Sequence, residues 1–180
     1  MTRPFLVLVG PPTAGKTTVG TAVAAALDLP FRDTDADIEA AVGARVGEVF
    51  VEHGEPHFRA LEEAAVARAL AEHEGVLALG GGAVLSAATR ALLVELRRAG
   101  GTVLHLDVDL HSAVERAGLS SARPLLGLGP RTALRGLLDA RAPLYAEVAT
   151  LVVATGGRTP EDVVAEVLAA LPASAGGGRR

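Results

Sequence analysis

The chain has 180 residues, a net charge of −4, 49% hydrophobic residues and only 3% aromatic ones. That length fits one domain with a full core built mostly of Val, Leu and Ala, and the charge leaves no basic footprint for nucleic acid. The absence of Cys excludes disulfides and thiolate zinc sites; with no segment apolar enough to span a bilayer and no signal-peptide pattern, a cytoplasmic protein is expected.

Short β-type apolar runs alternate with helical patterns, which predicts an α/β fold with a parallel sheet. Phe5-Leu6-Val7-Leu8-Val9 reads as a buried strand. The next residues, Gly10-Pro11-Pro12-Thr13-Ala14-Gly15-Lys16-Thr17, fit G-x-x-x-x-G-K-[ST], the phosphate-binding P-loop. Thr18 to Leu27 reads as a helix. A strand, a glycine loop and a helix N-terminus place several backbone N–H groups around one anion. Lys16 then reaches the β- and γ-phosphates and the Thr17 hydroxyl binds Mg²⁺. A chance match in a chain with 21 Gly is outweighed by this context.

Pro30 breaks the chain and Phe31 to Thr34 forms a short strand, with Asp33 and Asp35 at its end. In parallel α/β folds that edge faces the ligand. A carboxylate there holds Mg²⁺ or accepts a hydroxyl proton, or else caps the following helix. Helices are expected over Asp35 to Val42, closed by Gly43, and near Gly47 to Val51, ending before Gly54. A long helix from about Glu55 to Glu74 carries Phe58, Leu61, Ala65, Ala69 and Leu70 at helical spacing, with Gly75 as its stop. Arg59 lies on it, one turn before Glu62. It is either a carboxylate grip or half of an ordinary i,i+3 pair on a solvated face. The residues alone favour the second reading.

Val76 to Leu79 is the third strand, running into Gly80-Gly81-Gly82, where the backbone can approach a ligand without Cβ clash. A helix over Thr89 to Arg98 ends at Gly100 and Gly101, and Thr102 to Val108 is the fourth strand. Asp109 to Arg116 is helical. Gly118 to Pro130, with three Gly and two Pro, reads as a loop, and a loop of that length is functional or mobile. Arg123-Pro124 lies in it. A loop arginine closing over a γ-phosphate acts as an arginine finger in cis; a solvated charge is the alternative. Thr132 to Glu147 is helical, bent or interrupted at Pro143. Leu151 to Ala154 is the last strand. Arg158 follows two glycines, placed to cover a base. Thr159-Pro160-Glu161-Asp162 starts the last helix, whose stripe is Val163, Val164, Val167, Leu168 and Leu171. His53, His57, His73, His105 and His111 show no metal-like spacing. Residues 173–180 read as a disordered tail, so the domain spans 1–172.

Taken together the pieces resemble the shikimate kinases of the nucleoside monophosphate kinase-like P-loop group. The matches run in order over residues about 5 to 170. They are the P-loop at 10–17, Asp33-Thr34-Asp35, Phe58-Arg59 with Glu62-Glu63, Gly80-Gly81-Gly82-Ala83-Val84, Arg123-Pro124-Leu125-Leu126 and Arg141-Ala142-Pro143-Leu144-Tyr145. The P-loop alone is generic; the remainder is much more specific.

The resemblance implies a three-layer P-loop kinase fold with a five-stranded parallel sheet of order 2-3-1-4-5 between helices, and a monomer. It implies ATP-dependent phosphorylation of the shikimate 3-hydroxyl. ATP would be held by Gly10, Pro11, Pro12, Thr13, Ala14, Gly15, Lys16, Thr17 and Thr18, with Arg116, Arg158 and Pro160 near the adenine. Thr17 and Asp33 would hold Mg²⁺. Asp35 would orient the acceptor hydroxyl. Arg59 and Arg141 would clamp the substrate carboxylate, helped by the backbone at Gly81 and Gly82, with Phe50, Phe58 and Glu62 lining the pocket. Lys16 and Arg123 would stabilise the transferring phosphate, and residues 118–130 would form a lid. One departure stands out. The family's loop usually has Gly where this chain has Thr13, and if that place requires φ > 0, Thr13 is strained. A kinase for another cyclic polyol acid, or a P-loop module that binds nucleotide without turnover, remains the alternative.

Overall fold

The computed structural model describes residues 3–119 and 130–172. Arg123, most of the expected lid and the 173–180 tail lie outside the described residues. Five strands form one sheet: β1 (Leu6–Val9), β2 (Phe31–Asp33), β3 (Val76–Ala78), β4 (Thr102–Asp107) and β5 (Leu151–Ala154). Their order is β2-β3-β1-β4-β5, and every pair is parallel, with Leu6 opposite both Val76 and Thr102. This is the architecture that the resemblance implied.

Successive strand residues point to opposite faces, so β1 is apolar throughout and buries both. Leu6 and Leu8 join Val23, Leu104, Leu106 and Val167 on one side. Val7 and Val9 join Val66, Leu77, Leu93, Val103, Tyr145 and Val148 on the other. The first side is covered by α1 (Lys16–Ala26), α6 (Leu110–Leu119) and α8 (Pro160–Ala170). The second is covered by α4 (Glu55–Glu72), α5 (Ala87–Arg98) and α7 (Pro130–Val148). A smaller core of Ile38, Val49, Phe58 and Ala65 ties α2 (Thr34–Val42) and α3 (Val46–His53) to α4. Side-chain caps start α2, α5 and α8, two of them read from the sequence (Asp33 and Thr159); the third, Ser86, begins its helix at Ala87 rather than at the expected Thr89. Asp33 accepts from Asp35 N, Ser86 from Thr89 N and Thr159 from Asp162 N, and Gly43 closes α2 at φ 76°.

Three local expectations need correction. The long helix stops at Glu72, with His73 already extended, so Gly75 is not its cap. Gly75 is needed for packing: a Cβ there would lie 1.9 Å from the Pro30 carbonyl oxygen at the start of β2. Gly118 belongs to α6, so the loop begins later than the glycine suggested. Pro143 does not end α7. The ring removes a donor to the carbonyl four residues back, but Asp139 is exposed, where water can take that bond. On either side of Pro143, Arg141 and Tyr145 are both anchored to the Gly81 carbonyl.

Candidate active site

The C-terminal ends of β1, β2 and β3 converge on one edge of the sheet. Loop 10–15 leaves β1 and enters α1 at Gly15, φ 90°. Gly10, φ 151°, has no room for a side chain, since a Cβ would stand 2.5 Å from the Leu106 carbonyl oxygen. Ala14 N donates to Pro11 O at 3.3 Å, closing a turn over Pro11–Ala14. Thr13, its third residue, has φ 71°. With Pro12 ahead of it this is a type II turn, which favours Gly at that place. The anticipated strain is therefore present, and a β-branched residue there costs about 1–2 kcal/mol. Lys16 Nζ donates to the carbonyls of Gly10 and Pro11 at 2.8 and 3.0 Å. The lysine is folded along the loop whose amides would receive phosphate.

Asp33 takes the capping role weighed for it and also faces Thr17. One oxygen caps α2, accepting from Asp35 N at 2.9 Å; the other accepts from Thr17 Oγ1 at 2.8 Å. A hydroxyl and a carboxylate side by side at a P-loop are the hard oxygen donors that Mg²⁺ takes alongside phosphate and water, so these residues fit that ion. Thr34, between the two aspartates, is fully buried and its hydroxyl accepts from Gly80 N at 3.0 Å. It sets the height of the glycine edge against Asp35.

That edge is crowded. A Cβ on Gly80 would lie 2.5 Å from both Asp35 Oδ1 and Glu62 Oε1, one on Gly81 within 3 Å of Pro12, and one on Gly82 2.0 Å from Arg59 Nη1. The three glycines thus bring Asp35, Glu62, Arg59 and the phosphate loop to one place. Arg141 Nη1 and Tyr145 Oη both donate to Gly81 O, at 2.9 and 2.7 Å. Burial pushes the Tyr145 hydroxyl up to about 12, so it remains a donor.

Arg59 settles between its two readings. It pairs with Glu62, Nη1 to Oε2 at 2.5 Å, but that face is not solvated: the Glu62 side chain is 3% exposed. Its Nε and Nη2 meet the exposed Glu55 at 3.2 Å. Burial raises the Glu62 carboxyl above the ordinary range, and Arg59 opposes that rise. Glu62 Oε1 has no partner among the described residues. Phe58, buried, and Phe50, half-buried, form a tilted aromatic pair behind this group, rings 5.7 Å apart.

Arg116 and Arg158 both reach the β5–α8 connection. Arg116 donates to Thr155 O at 2.6 Å, to Thr155 Oγ1 at 3.1 Å and to Thr13 O at 3.1 Å. Arg158 is tied to Ala154 O, Asp162 O and the Glu166 carboxylate. A cavity of about 350 Å³ opens beside Pro11, between the end of β4 (His105, Asp107) and α7 (Arg135, Asp139, Tyr145). It adjoins the loop, but Asp35, Arg59 and Arg141 do not line it; it neighbours the acceptor group rather than containing it. His105 stacks on Tyr145 at 4.8 Å. Burial lowers its pKa, Asp107 pulls it back up and Lys16 lowers it further.

Sequence reasoning read Gly80 only as part of a ligand-facing glycine run and gave no separate role to Thr34 or Tyr145. Tyr145 was findable, being one helical turn from Arg141 and the only tyrosine in the chain.

The family model described as shikimate kinase matches residues 12–172. A shikimate kinase of Salinispora tropica is 57% identical over 169 residues, covering 94% of this chain and 98% of that protein. One from Salinispora arenicola is 56% identical over 170 residues, covering 94% and 99%. Among solved structures, the shikimate kinase from Acinetobacter baumannii in complex with shikimate superposes with a TM-score of 0.83 at 35% identity, covering 93% of this chain and 92% of that one.

Proposed function

The chain belongs to the shikimate kinase family, and from that premise we propose which residues carry each part of the reaction. The protein is an enzyme, transferring the γ-phosphoryl group of ATP to the 3-hydroxyl of shikimate to give shikimate 3-phosphate and ADP. Its residue assignments rest on one observation above all: Asp35, Arg59 and Arg141 meet at a glycine edge that itself packs against Pro12 of the phosphate loop.

Phosphoryl transfer asks a protein chiefly for alignment and charge neutralisation. The amides of loop 10–17 and the N-terminus of α1 hold the triphosphate, and Lys16 leaves its two carbonyl partners for the β- and γ-phosphates. Thr17 and Asp33 would hold Mg²⁺, which neutralises charge on the phosphate oxygens. The substrate carboxylate takes the Nε/Nη2 edge of Arg59, displacing Glu55, whose exposed ion pair is weak. The buried Glu62 keeps Nη1 and so keeps the fork aimed. Arg141, steadied on Gly81 O, supplies the second cation. Asp35 stands across Gly80 from Glu62 and takes up the 3-hydroxyl, positioning it and accepting its proton. Arg123, outside the described residues, would stabilise the transferring phosphate. Arg116, Arg158 and Pro160 flank the base.

Among the described residues no helix is long and apolar enough to cross a membrane. We read the enzyme as a cytoplasmic monomer that binds no nucleic acid. The test is ADP release with Mg-ATP, with and without shikimate. Turnover that depends on shikimate supports the reading; nucleotide binding without such turnover refutes it. Asp35→Asn should fold, bind ATP and lose turnover, and wild-type rates in that variant would remove Asp35 from its role.

A further inference from the structure

The turn Pro11–Ala14 calls for glycine at its third place and has threonine. Thr13 is held at φ 71°, and its hydroxyl is buried with no partner among the described residues. The side chain therefore returns no hydrogen bond for the strain it imposes. Relaxation to negative φ turns over the Pro12–Thr13 peptide, and with it the Thr13 N–H, one of the donors from which such an anion nest is built. Strained backbone persists only where its surroundings over-determine it.

We propose that Arg116 positions the phosphate loop by gripping the Thr13 carbonyl, supplying from α6 the restraint that this threonine-bearing turn needs. Arg116 lies 103 residues along the chain from Thr13, and its Nη1 donates to Thr13 O at 3.1 Å. The other contacts of its fork are to Thr155, at Oγ1 and at the carbonyl. Thr155 is itself pinned to the sheet, its N–H donating to Asp107 O at 2.7 Å. A planar guanidinium fixed at two points spends little further entropy on a third. The path therefore runs from the end of β4, through Thr155 and Arg116, to the loop: the base side of the nucleotide site holds the phosphate side in shape. Arg116 acts here through Thr13, apart from any contact with adenine.

This rests on loop 10–17 being the triphosphate cradle, and the test separates the two. Inorganic tripolyphosphate has phosphates and no base. Its inhibition constant against Mg-ATP is measured for the native enzyme, Arg116→Ala, Thr13→Gly and the double variant, with the KM for shikimate alongside. Arg116→Ala should weaken tripolyphosphate about fivefold in the native background and less than about twofold in the Thr13→Gly background, a coupling expected of groups in direct contact. Thr13→Gly alone should bind it as tightly as the native enzyme or more so. Equal losses in both backgrounds, or a loss confined to ATP, overturn the proposal. An equal rise in the shikimate KM also overturns it, since that marks general damage. Should Arg116→Ala fail to fold, Arg116→Lys keeps the charge without the fork, and the same coupling must appear. Failure of tripolyphosphate to compete with ATP in the native enzyme overturns the cradle itself, and the clamp with it.

Discussion

Replacing Arg59 by Ala removes more than a grip on substrate. It leaves the Glu62 carboxylate, 3% exposed, with neither oxygen paired by the partner it now has. Breaking a fully buried ion pair costs about 3–5 kcal/mol. Arg59 keeps a quarter of its side chain in solvent, so a value of about 2 kcal/mol is expected, or about 4–8 °C in Tm for a chain of this size. The pH dependence identifies the cause. Glu62 already has its folded pKa raised above the ordinary 4.5 by burial, with Arg59 as the largest opposing influence. For a raised acid, the stabilising contribution is complete below the unfolded pKa and is lost as pH rises through the folded one. Deleting Arg59 lifts that folded value further and widens the window upward. Urea unfolding of native, Arg59→Ala, Glu62→Gln and the double variant at about pH 5 and about pH 8 reads this directly. The Arg59→Ala deficit should be larger at the higher pH, and adding Glu62→Gln should recover most of it. A deficit equal at both pH values, or no recovery in the double variant, refutes the argument that a stranded buried carboxylate is the source.

Other perturbations follow from the same contacts. Arg141→Ala should raise the shikimate KM about 30- to 100-fold, as the loss of a charge-assisted fork predicts, while ATP still binds by equilibrium titration; a normal KM would remove Arg141 from the clamp. Gly80→Ala drives a methyl within 2.5 Å of Asp35 and Glu62, so turnover should fall at least about 100-fold, with nucleotide affinity kept; near-native kinetics would show the edge to be pliable. Thr17→Ala should raise the Mg²⁺ concentration for half-maximal rate at least about tenfold, and an unaltered magnesium titration would put the ion elsewhere.

The sequence was legible where a residue's role depends on its neighbours in the chain. The P-loop and the helix start at Thr159 belong to that class, as does the strain at Thr13, read from a missing glycine and observed as φ 71°; the strand order came by resemblance, not from local pattern. It was less legible where two distant segments meet. Gly75 looked like a helix stop because nothing local reveals that the Pro30 carbonyl lies against it. Arg59 with Glu62 looked like a surface pair because i,i+3 spacing does not say which side of a helix faces the sheet edge. Gly80 gained its importance only when Asp35 and Glu62 arrived on either side. Pro143 was read by its usual effect, which exposure at Asp139 and the anchors at Gly81 override.

Tyr145 also makes the enzyme optically simple. The chain has one tyrosine and no tryptophan, so emission excited in the tyrosine band comes from a single phenol. That phenol hydrogen-bonds the Gly81 carbonyl beside Arg141 and stacks on His105. Any event that moves the glycine edge changes the surroundings of that single phenol. Substrate arrival can therefore be followed in the unlabelled protein by exciting the tyrosine band, where the four phenylalanines do not absorb.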